Sequence, residues 1–247
     1  MTHLLDNPVW NALNSGNKNL AEGNERAKYF PKDVAPFVGL KDTSRRDLDV
    51  LYDLVPAGTV AAVVTPEDIA IPELWTRILE TKLLQMVCDN PAKPSAANPA
   101  KATPANPTKS PAFEYDLIPL EARHVPDMIA LTKMTNPGPF YSRTIEFGNY
   151  TGIFKADQLI AMAGYRLQAN PFIEISAVCT HPDHLGKGYA ATLILYLAGL
   201  IRASAGIPFL HSRTDNERAI KLYEKLGFVN RRQMTINIIK STASPMS

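Results

Sequence analysis

Hydrophobic and polar positions are most regularly arranged in the second half of the chain. Alternation predicts a strand over residues 115–120, and apolar residues at helical spacing predict a helix that includes 125–134. Two apolar stretches, 151–154 and 158–165, flank a short turn and are expected to pair as a hairpin. The elements predicted after them are a strand (173–180), a helix (188–204), a strand (209–212), a helix (216–226) and a last strand (228–239). This order favours a mixed α/β sheet with helices on its faces.

The first half of the chain predicts a smaller α/β lobe. Apolar residues recur at helical spacing over 48–55, and a buried strand is expected over 59–64. Residues 75–79 follow Pro72 and place Trp, Ile and Leu at helical spacing, so a second helix is expected there. A strand over 83–88 should complete the lobe.

A segment rich in Pro, Ala, Asn, Lys, Ser and Thr separates the two halves over residues 90–111. Such a segment buries too little apolar surface to offset the entropy of ordering it, and its prolines favour an extended spacer. The expected organisation is therefore an N-terminal α/β lobe (1–89), a linker (90–111), a C-terminal domain (112–240) and a disordered tail (241–247).

Composition and charge exclude several classes of function. The 247 residues are 45% hydrophobic and carry a formal charge of +2, with no long basic run, so neither nucleic acid nor an anionic membrane is expected as a partner. No stretch approaches the ~18 apolar residues of a membrane span, and a cytoplasmic location is expected. Cys88 and Cys179 lie far apart in apolar stretches, which favours buried free thiols over a disulfide or a metal site.

Candidate chemistry concentrates in the stretch AVCTHPDHLGKGYA, residues 177–190. A strand ends there, and Gly186 and Gly188 precede an apolar helix. Backbone N–H groups at the start of a helix, together with the helix dipole, bind phosphate. A pair of glycines before a helix fits an ordinary strand-to-helix turn equally well, so further context is needed.

That context is the segment NERAIKLYEKLGF, which follows about 25 residues later at 216–228. Together the two segments resemble the GNAT superfamily of acyl-CoA-dependent N-acyltransferases, whose loop reads [QR]-x-x-G-x-[GA] and whose last helix reads N-x-x-A-x-x-x-Y-x-x-x-G-F. The loop pattern falls on Leu185, Gly186, Lys187, Gly188, Tyr189 and Ala190, and the helix pattern on Asn216, Ala219, Tyr223, Gly227 and Phe228. Leu185 departs from the usual Arg or Gln, which puts the strength of pyrophosphate binding in doubt. Two further segments, TNPGPFYSRT and EISAVCTHP, resemble a bacterial branch of small acetyltransferases.

The resemblance implies a GNAT-like mixed central sheet and transfer of an acetyl group from acetyl-CoA to an amine by direct attack in a ternary complex. The acceptor would be a small amine, an amino acid or a peptide N-terminus, and the protein a monomer or homodimer. Backbone groups of Val178, Cys179 and Thr180 would accompany the pantetheine arm of the cosubstrate. The glycine loop would hold the pyrophosphate, and Asn216 would both cap its helix and contact CoA.

Two side chains are the candidates for proton transfer. By resemblance, Tyr223 protonates the departing thiolate; the alternative is a core aromatic residue on an amphipathic helix. Counting by twos from Val178 places Ser176 and Glu174 on one strand face, which makes Glu174 the candidate general base, for which a raised pKa would be suitable. The alternative for Glu174 is an ion pair with Arg166 on the neighbouring strand.

Other functions stay open at this point. A glycine N-acyltransferase-like enzyme that uses longer acyl-CoA shares a similar C-terminal half, and a non-catalytic CoA-binding or scaffold module is a third possibility. The loop over residues 135–144 is expected to select the acceptor. The N-terminal lobe would shape the substrate site, support a dimer or represent a degenerate second copy. The histidines His181, His184 and His211 have no metal-ligand spacing and are expected to be structural or exposed.

Overall fold

The computed structural model describes residues 3–88 and 115–242, and within these ranges the chain forms one eleven-stranded sheet and five α-helices. The helices are α1 (Pro8–Leu13), α2 (Arg45–Leu54), α3 (Val125–Thr135), α4 (Tyr189–Ala203) and α5 (Glu217–Lys225). The strands are β1 (Glu22–Gly23), β2 (Ala27–Tyr29), β3 (Phe37–Leu40), β4 (Val60–Thr65), β5 (Trp75–Val87), β6 (Ile118–Pro119), β7 (Thr151–Lys155), β8 (Gln158–Ala169), β9 (Phe172–Thr180), β10 (Ile207–Arg213) and β11 (Val229–Ser241). The linker predicted over 90–111 lies outside the described residues. No helix in the described part of the chain is long and apolar enough to cross a membrane.

The sheet continues across the boundary between the two predicted lobes. Its strand order is β1-β2-β3-β4-β11-β5-β10-β9-β8-β7-β6. Strand β5, which precedes the predicted linker, lies antiparallel between β11 and β10, which both follow it. The N-terminal part of the chain therefore contributes a central strand to the sheet that carries the glycine loop. The division into lobes stays a prediction.

Two sequence predictions fail in this sheet. The helix expected over 75–79 is wrong, because Trp75 begins β5, which pairs with β11 as far as Val87. Ile78 and Leu79 are 55% and 52% exposed, so they do not form the buried stripe that a helix would need. The strand expected over 115–120 is much shorter than predicted, since only Ile118–Pro119 is a strand.

The other predicted elements are confirmed, with local sequence reasons for their ends. The β7–β8 hairpin turns at Ala156 and Asp157, which have φ values of 46° and 63°. Helix α2 begins after Ser44, whose side chain accepts a hydrogen bond from the Asp47 N–H. Helix α3 ends at Asn136 in the left-handed conformation.

Two hydrophobic clusters cover opposite faces of the sheet around β8, β9 and β10. We call them the α1/α3 face and the α4/α5 face. The α1/α3 face includes Val9, Leu13, Met128, Leu131, Ala177, Cys179 and Phe209, and the α4/α5 face includes Leu193, Leu197, Ile201, Ile175, Leu210 and Phe228. Cys88 and Cys179 are buried free thiols, as predicted. Burial raises the pKa of the Cys179 thiol to about 12, so this cysteine is a packing residue and not a nucleophile.

Candidate active site

Strands β9 and β10 separate in the middle of the sheet. They pair in parallel at only three positions, the last of which joins Phe209 to Glu174. Beyond that point β9 continues along β8 to Thr180, while β10 continues along β5 to Arg213. The separation opens a notch in the sheet, which we define as the gap between residues 175–180 and 210–213. Along this notch, one edge of β9 pairs with no strand among residues 3–88 and 115–242.

A β-bulge at Ala177 changes which way the side chains of β9 point. Pairing with β8 moves from Gly164↔Ser176 to Met162↔Cys179, which leaves one extra residue in β9, and Ala177 has a φ of 51°. Val178 therefore packs beside the α4/α5 cluster, whereas Ala177 and Cys179 lie in the α1/α3 cluster.

The sequence prediction that Glu174 and Val178 share a face is wrong for this reason. Alternation by twos fails across a bulge, because the extra residue shifts the pattern by one. Glu174 instead pairs with Arg166, whose guanidinium stacks over the Phe37 ring of the α1/α3 cluster at 4.9 Å. Cys179 points away from Val178, into the α1/α3 cluster.

The glycine loop leads from the end of β9 to the start of α4. Gly186 and Gly188 have φ values of 78° and 81°, in the left-handed region that favours glycine. Gly188 is the N-cap of α4 and provides no side-chain hydrogen bond, so the first amides of the helix are not capped. A Cβ at either glycine would meet nothing within 4 Å, which shows that the space above the loop is open. The loop therefore fits an anion such as a pyrophosphate.

The loop side chains are arranged around this open space. Leu185 is 47% exposed and does not pack into the core. The Lys187 ammonium lies 3.3 Å from Nδ1 of His184, and partial burial together with Lys187 lowers the pKa of that histidine. Tyr189 packs edge-to-face on Tyr115, with ring centroids 4.8 Å apart. The first turn of α4 carries no acidic residue that would repel a phosphate.

The Tyr223 side chain on α5 packs against the α4/α5 cluster, as do Val178 and Tyr189. Its half-buried ring packs against Phe228 at a centroid distance of 6.2 Å. Its hydroxyl makes no hydrogen bond to any described residue. Burial raises the pKa of Tyr223 to about 12, so the phenol is protonated at neutral pH and can donate a proton. Asn216 caps α5 by accepting a hydrogen bond from the Ala219 N–H at 3.3 Å.

Glu174 lies at the inner end of the notch and is fully buried. Its two oxygens accept hydrogen bonds from Arg166 Nε at 2.8 Å and Nη2 at 2.6 Å, and the Leu167 N–H lies 3.3 Å away. Burial alone would raise the pKa of Glu174, but the Arg166 guanidinium and His211 hold it well below its usual range. The raised pKa expected for a general base is therefore not found. The geometry agrees with the alternative prediction of an ion pair with Arg166.

His211 connects Glu174 to a strand from the N-terminal part of the chain. Its Nδ1 lies 2.7 Å from Glu174, and its Nε2 lies 3.0 Å from Nε2 of Gln85. Gln85 also donates to the Leu5 carbonyl, while its amide oxygen accepts a hydrogen bond from Arg231. Because this fixes the amide orientation, His211 Nε2 accepts, and His211 Nδ1–H donates to Glu174. The Glu174 carboxylate thus accepts hydrogen bonds from four donors, which fix its position.

A small cleft lies beside the notch on the α1/α3 side. It is narrow, with room for about one water molecule. Its lining residues are Pro137, Gly138, Pro139, Thr144, Tyr150, Arg166, Ser176 and Ala177. The loop over 135–144 therefore lies beside β9, and its role in acceptor selection stays a prediction.

Sequence reasoning missed Tyr150 and Gln85. Tyr150 precedes a strand and showed no periodic or motif signal. In the structure its ring lies over Gly164, where an added Cβ would come within 2.4 Å of the ring. Gln85 was expected only as part of a strand, because its contact with His211 depends on the pairing of β5 with β10. Within the described ranges, no group of three His, Cys, Asp or Glu side chains is arranged to hold a metal ion.

Comparison with known proteins finds relatives both in sequence and in structure. Residues 150–236 match a protein-family model described as FR47-like protein. A crystal structure of a GNAT-family protein from Novosphingobium aromaticivorans is 32% identical and superposes with a TM-score of 0.83, covering 98% of this chain and 100% of that one. A GCN5-related N-acetyltransferase from Kribbella flavida shares the fold at 13% identity, with a TM-score of 0.58 over 97% of this chain and 96% of that chain.

A shorter match links the chain to a protein of Mycobacterium leprae, which is 35% identical over 100 residues. That match covers 38% of this chain and 27% of the Mycobacterium protein. The fold, the glycine loop, the motif helix and the full-length similarity to the Novosphingobium protein lead to one conclusion. The chain belongs to the GNAT superfamily of acetyltransferases.

Proposed function

We propose that this protein transfers the acetyl group of acetyl-CoA to a primary amine by direct attack in a ternary complex. The observation that carries the proposal is the notch, where one unpaired edge of β9 leads to the uncapped N-terminus of α4. An extended ligand with amides at one end and phosphates at the other matches both features.

The pantetheine arm is the part of the cosubstrate that fits the open strand edge. Backbone groups of Val178, Cys179 and Thr180 would pair with its amides, as an added strand pairs with a sheet edge. The amides after Gly188 would hold the pyrophosphate, with Lys187 nearby as a source of positive charge. The side chain of Cys179 takes no part, because it is buried on the opposite face.

The chemical step needs a nucleophilic nitrogen and a proton for the leaving thiolate. The lone pair of the neutral amine attacks the thioester carbonyl, a C–N bond forms, and the C–S bond breaks. Tyr223 gives its phenolic proton to the thiolate and recovers one from solvent. Burial raises the pKa of Tyr223 to about 12, so the phenol carries its proton across the physiological range, and its place beside Val178 in the α4/α5 cluster supports the role.

Glu174 has a different role in this proposal from the base expected at first. Its oxygens already accept bonds from Arg166, Leu167 and His211, and its lowered pKa makes it a weak base. We assign it to positioning β9 and Arg166 at the notch. The proton lost by the amine passes to solvent.

Thermal denaturation with and without ligand tests the cosubstrate assignment. Acetyl-CoA at about 100 times its dissociation constant should add about 2.7 kcal/mol to the free energy of unfolding. Gly188→Glu should abolish this gain, because it puts a carboxylate where phosphate must approach. Gly199→Glu is the matched control: Gly199 is exposed on α4 and an added Cβ meets nothing within 4 Å. No stabilisation of the folded protein by CoA, acetyl-CoA or longer acyl-CoA would overturn the proposal.

Two further outcomes would each favour one of the alternative functions. Stronger stabilisation by benzoyl-CoA than by acetyl-CoA would favour the glycine N-acyltransferase-like alternative. Binding without any acyl transfer to a broad amine panel would favour the non-catalytic module.

A further inference from the structure

The cleft beside the notch contains a guanidinium nitrogen that has no hydrogen-bond partner in the described part of the chain. Arg166 uses Nε and Nη2 to bind Glu174, and its side chain is only 15% exposed. Its Nη1 makes no hydrogen bond within residues 3–88 and 115–242. A Cβ built on Gly138 would lie 3.9 Å from Nη1, which places this nitrogen against the loop that lines the cleft. Two N–H groups are therefore available there.

Tyr150 supplies a second donor to the same cleft. It is 3% exposed and its ring is fixed over Gly164. Tyr150 lines the cleft, and its hydroxyl makes no hydrogen bond to any described residue. Burial raises the pKa of Tyr150 above its usual range, so the hydroxyl remains a donor.

The two groups identified at the cleft, Arg166 Nη1 and the Tyr150 hydroxyl, are both hydrogen-bond donors. Glu174, which pairs directly with Arg166, already accepts four hydrogen bonds. A carboxylate would pair with the free edge of the guanidinium and with the phenol, between the apolar walls of Pro137 and Pro139.

We infer that the acetyl acceptor is an amino acid, whose carboxylate is held in this cleft by Arg166 Nη1 and the Tyr150 hydroxyl. The inference rests on the proposed function and names its acceptor class. The cleft is narrow, with room for about one water molecule, so the carboxylate of the acceptor would enter it and the rest of the acceptor would lie outside. Arg166 and Tyr150 would thus determine specificity.

The first test measures binding and does not depend on turnover. N-acetyl glycine, alanine, serine and leucine are titrated by calorimetry into CoA-saturated protein, each against its own carboxamide. At least one acid should bind about tenfold more tightly than its carboxamide, the factor expected for a charge-assisted hydrogen bond. Equal binding of every acid and its carboxamide, or no binding of any acid, would overturn the inference.

A pair of tyrosine variants tests the assignment of the hydroxyl. Tyr150→Phe keeps the ring over Gly164 and should remove most of the preference for the acid. Tyr165→Phe is the matched control, because Tyr165 packs on the opposite, α4/α5 face. A preference that survives in Tyr150→Phe, or that is lost equally in both variants, would contradict the assignment.

Turnover separates failure of the inference from failure of the proposed function. With acetyl-CoA, the amino acid that binds should react faster than the amine formed by replacing its carboxylate with hydrogen. Transfer to both amines at equal rates would remove only the carboxylate preference. Absence of transfer to any amine, while the N-acetyl acids still bind, would remove the proposed function and leave the carboxylate site.

Discussion

The substitution Glu174→Gln tests whether the ion pair at the notch is structural. The amide keeps the shape of the side chain but removes the charge that neutralises Arg166, whose side chain is only 15% exposed. Removing one partner of a buried ion pair costs about 3–5 kcal/mol, and the partial exposure of Arg166 to the cleft favours the lower end. For a protein of this size, about 3 kcal/mol lowers the midpoint of thermal unfolding by roughly 6–12 °C.

Urea denaturation at pH 7 measures this loss directly. The matched control is Glu146→Gln, which breaks an ion pair with Arg143 whose two side chains are 37% and 44% exposed. That loss should be below about 1 kcal/mol. Equal losses in the two variants would refute the structural role of Glu174.

The pH dependence of stability gives an independent check on the same carboxylate. The pKa of Glu174 is lowered in the folded state, so its contribution to stability is complete above the unfolded value, about 4.3, and is lost as pH falls towards the folded value. Wild-type protein should lose stability below about pH 4 more steeply than Glu174→Gln. Parallel curves would show that Glu174 is not stabilised as a carboxylate.

Three further substitutions have defined outcomes. Tyr223→Phe should lower turnover by roughly 10² to 10⁴ without changing acetyl-CoA affinity, and normal turnover would make Tyr223 a packing residue only. Leu185→Arg should strengthen the binding of acetyl-CoA by about tenfold at low salt, because Leu185 is exposed beside the glycine loop and an Arg there can reach a phosphate. The gain should be smaller at high salt, and calorimetry that finds no gain would contradict the loop assignment. Gly164→Ala should cost about 1–3 kcal/mol by pushing Tyr150 away, whereas Gly199→Ala, into open space, should not destabilise the fold; equal denaturation midpoints would refute the close contact.

Elements with strong local patterns could be predicted from the sequence. The hairpin turn, α4 and α5 follow from periodicity, a turn sequence and the Asn216 cap. The start of β5 could not be predicted in this way, because Trp75 and its neighbours become a strand through pairing with β11, which is more than 140 residues away in the chain. Long-range pairing overrides a short helical spacing of apolar residues.

The site was predicted in its parts but not in its geometry. The glycine loop and Tyr223 were visible as motifs. The bulge was not visible in the sequence, because the residue with the left-handed φ is Ala177 and not a glycine. The face assigned to Glu174 was wrong as a result. The pairing of Glu174 with Arg166 was foreseen as an alternative, whereas the links to His211 and Gln85 arise only where three strands meet in the folded sheet.

The measurement that tests the central claim most directly is amine-dependent release of CoA thiol, followed together with the acetylated amine by mass spectrometry. Wild-type protein with acetyl-CoA and a panel of amino acids and simple amines should release one thiol for each acetylated amine formed. Gly188→Glu should release almost none, and Gly199→Glu should react normally. Thiol release that does not depend on any amine, or no release by folded protein that binds acetyl-CoA, would contradict acetyl transfer at the notch.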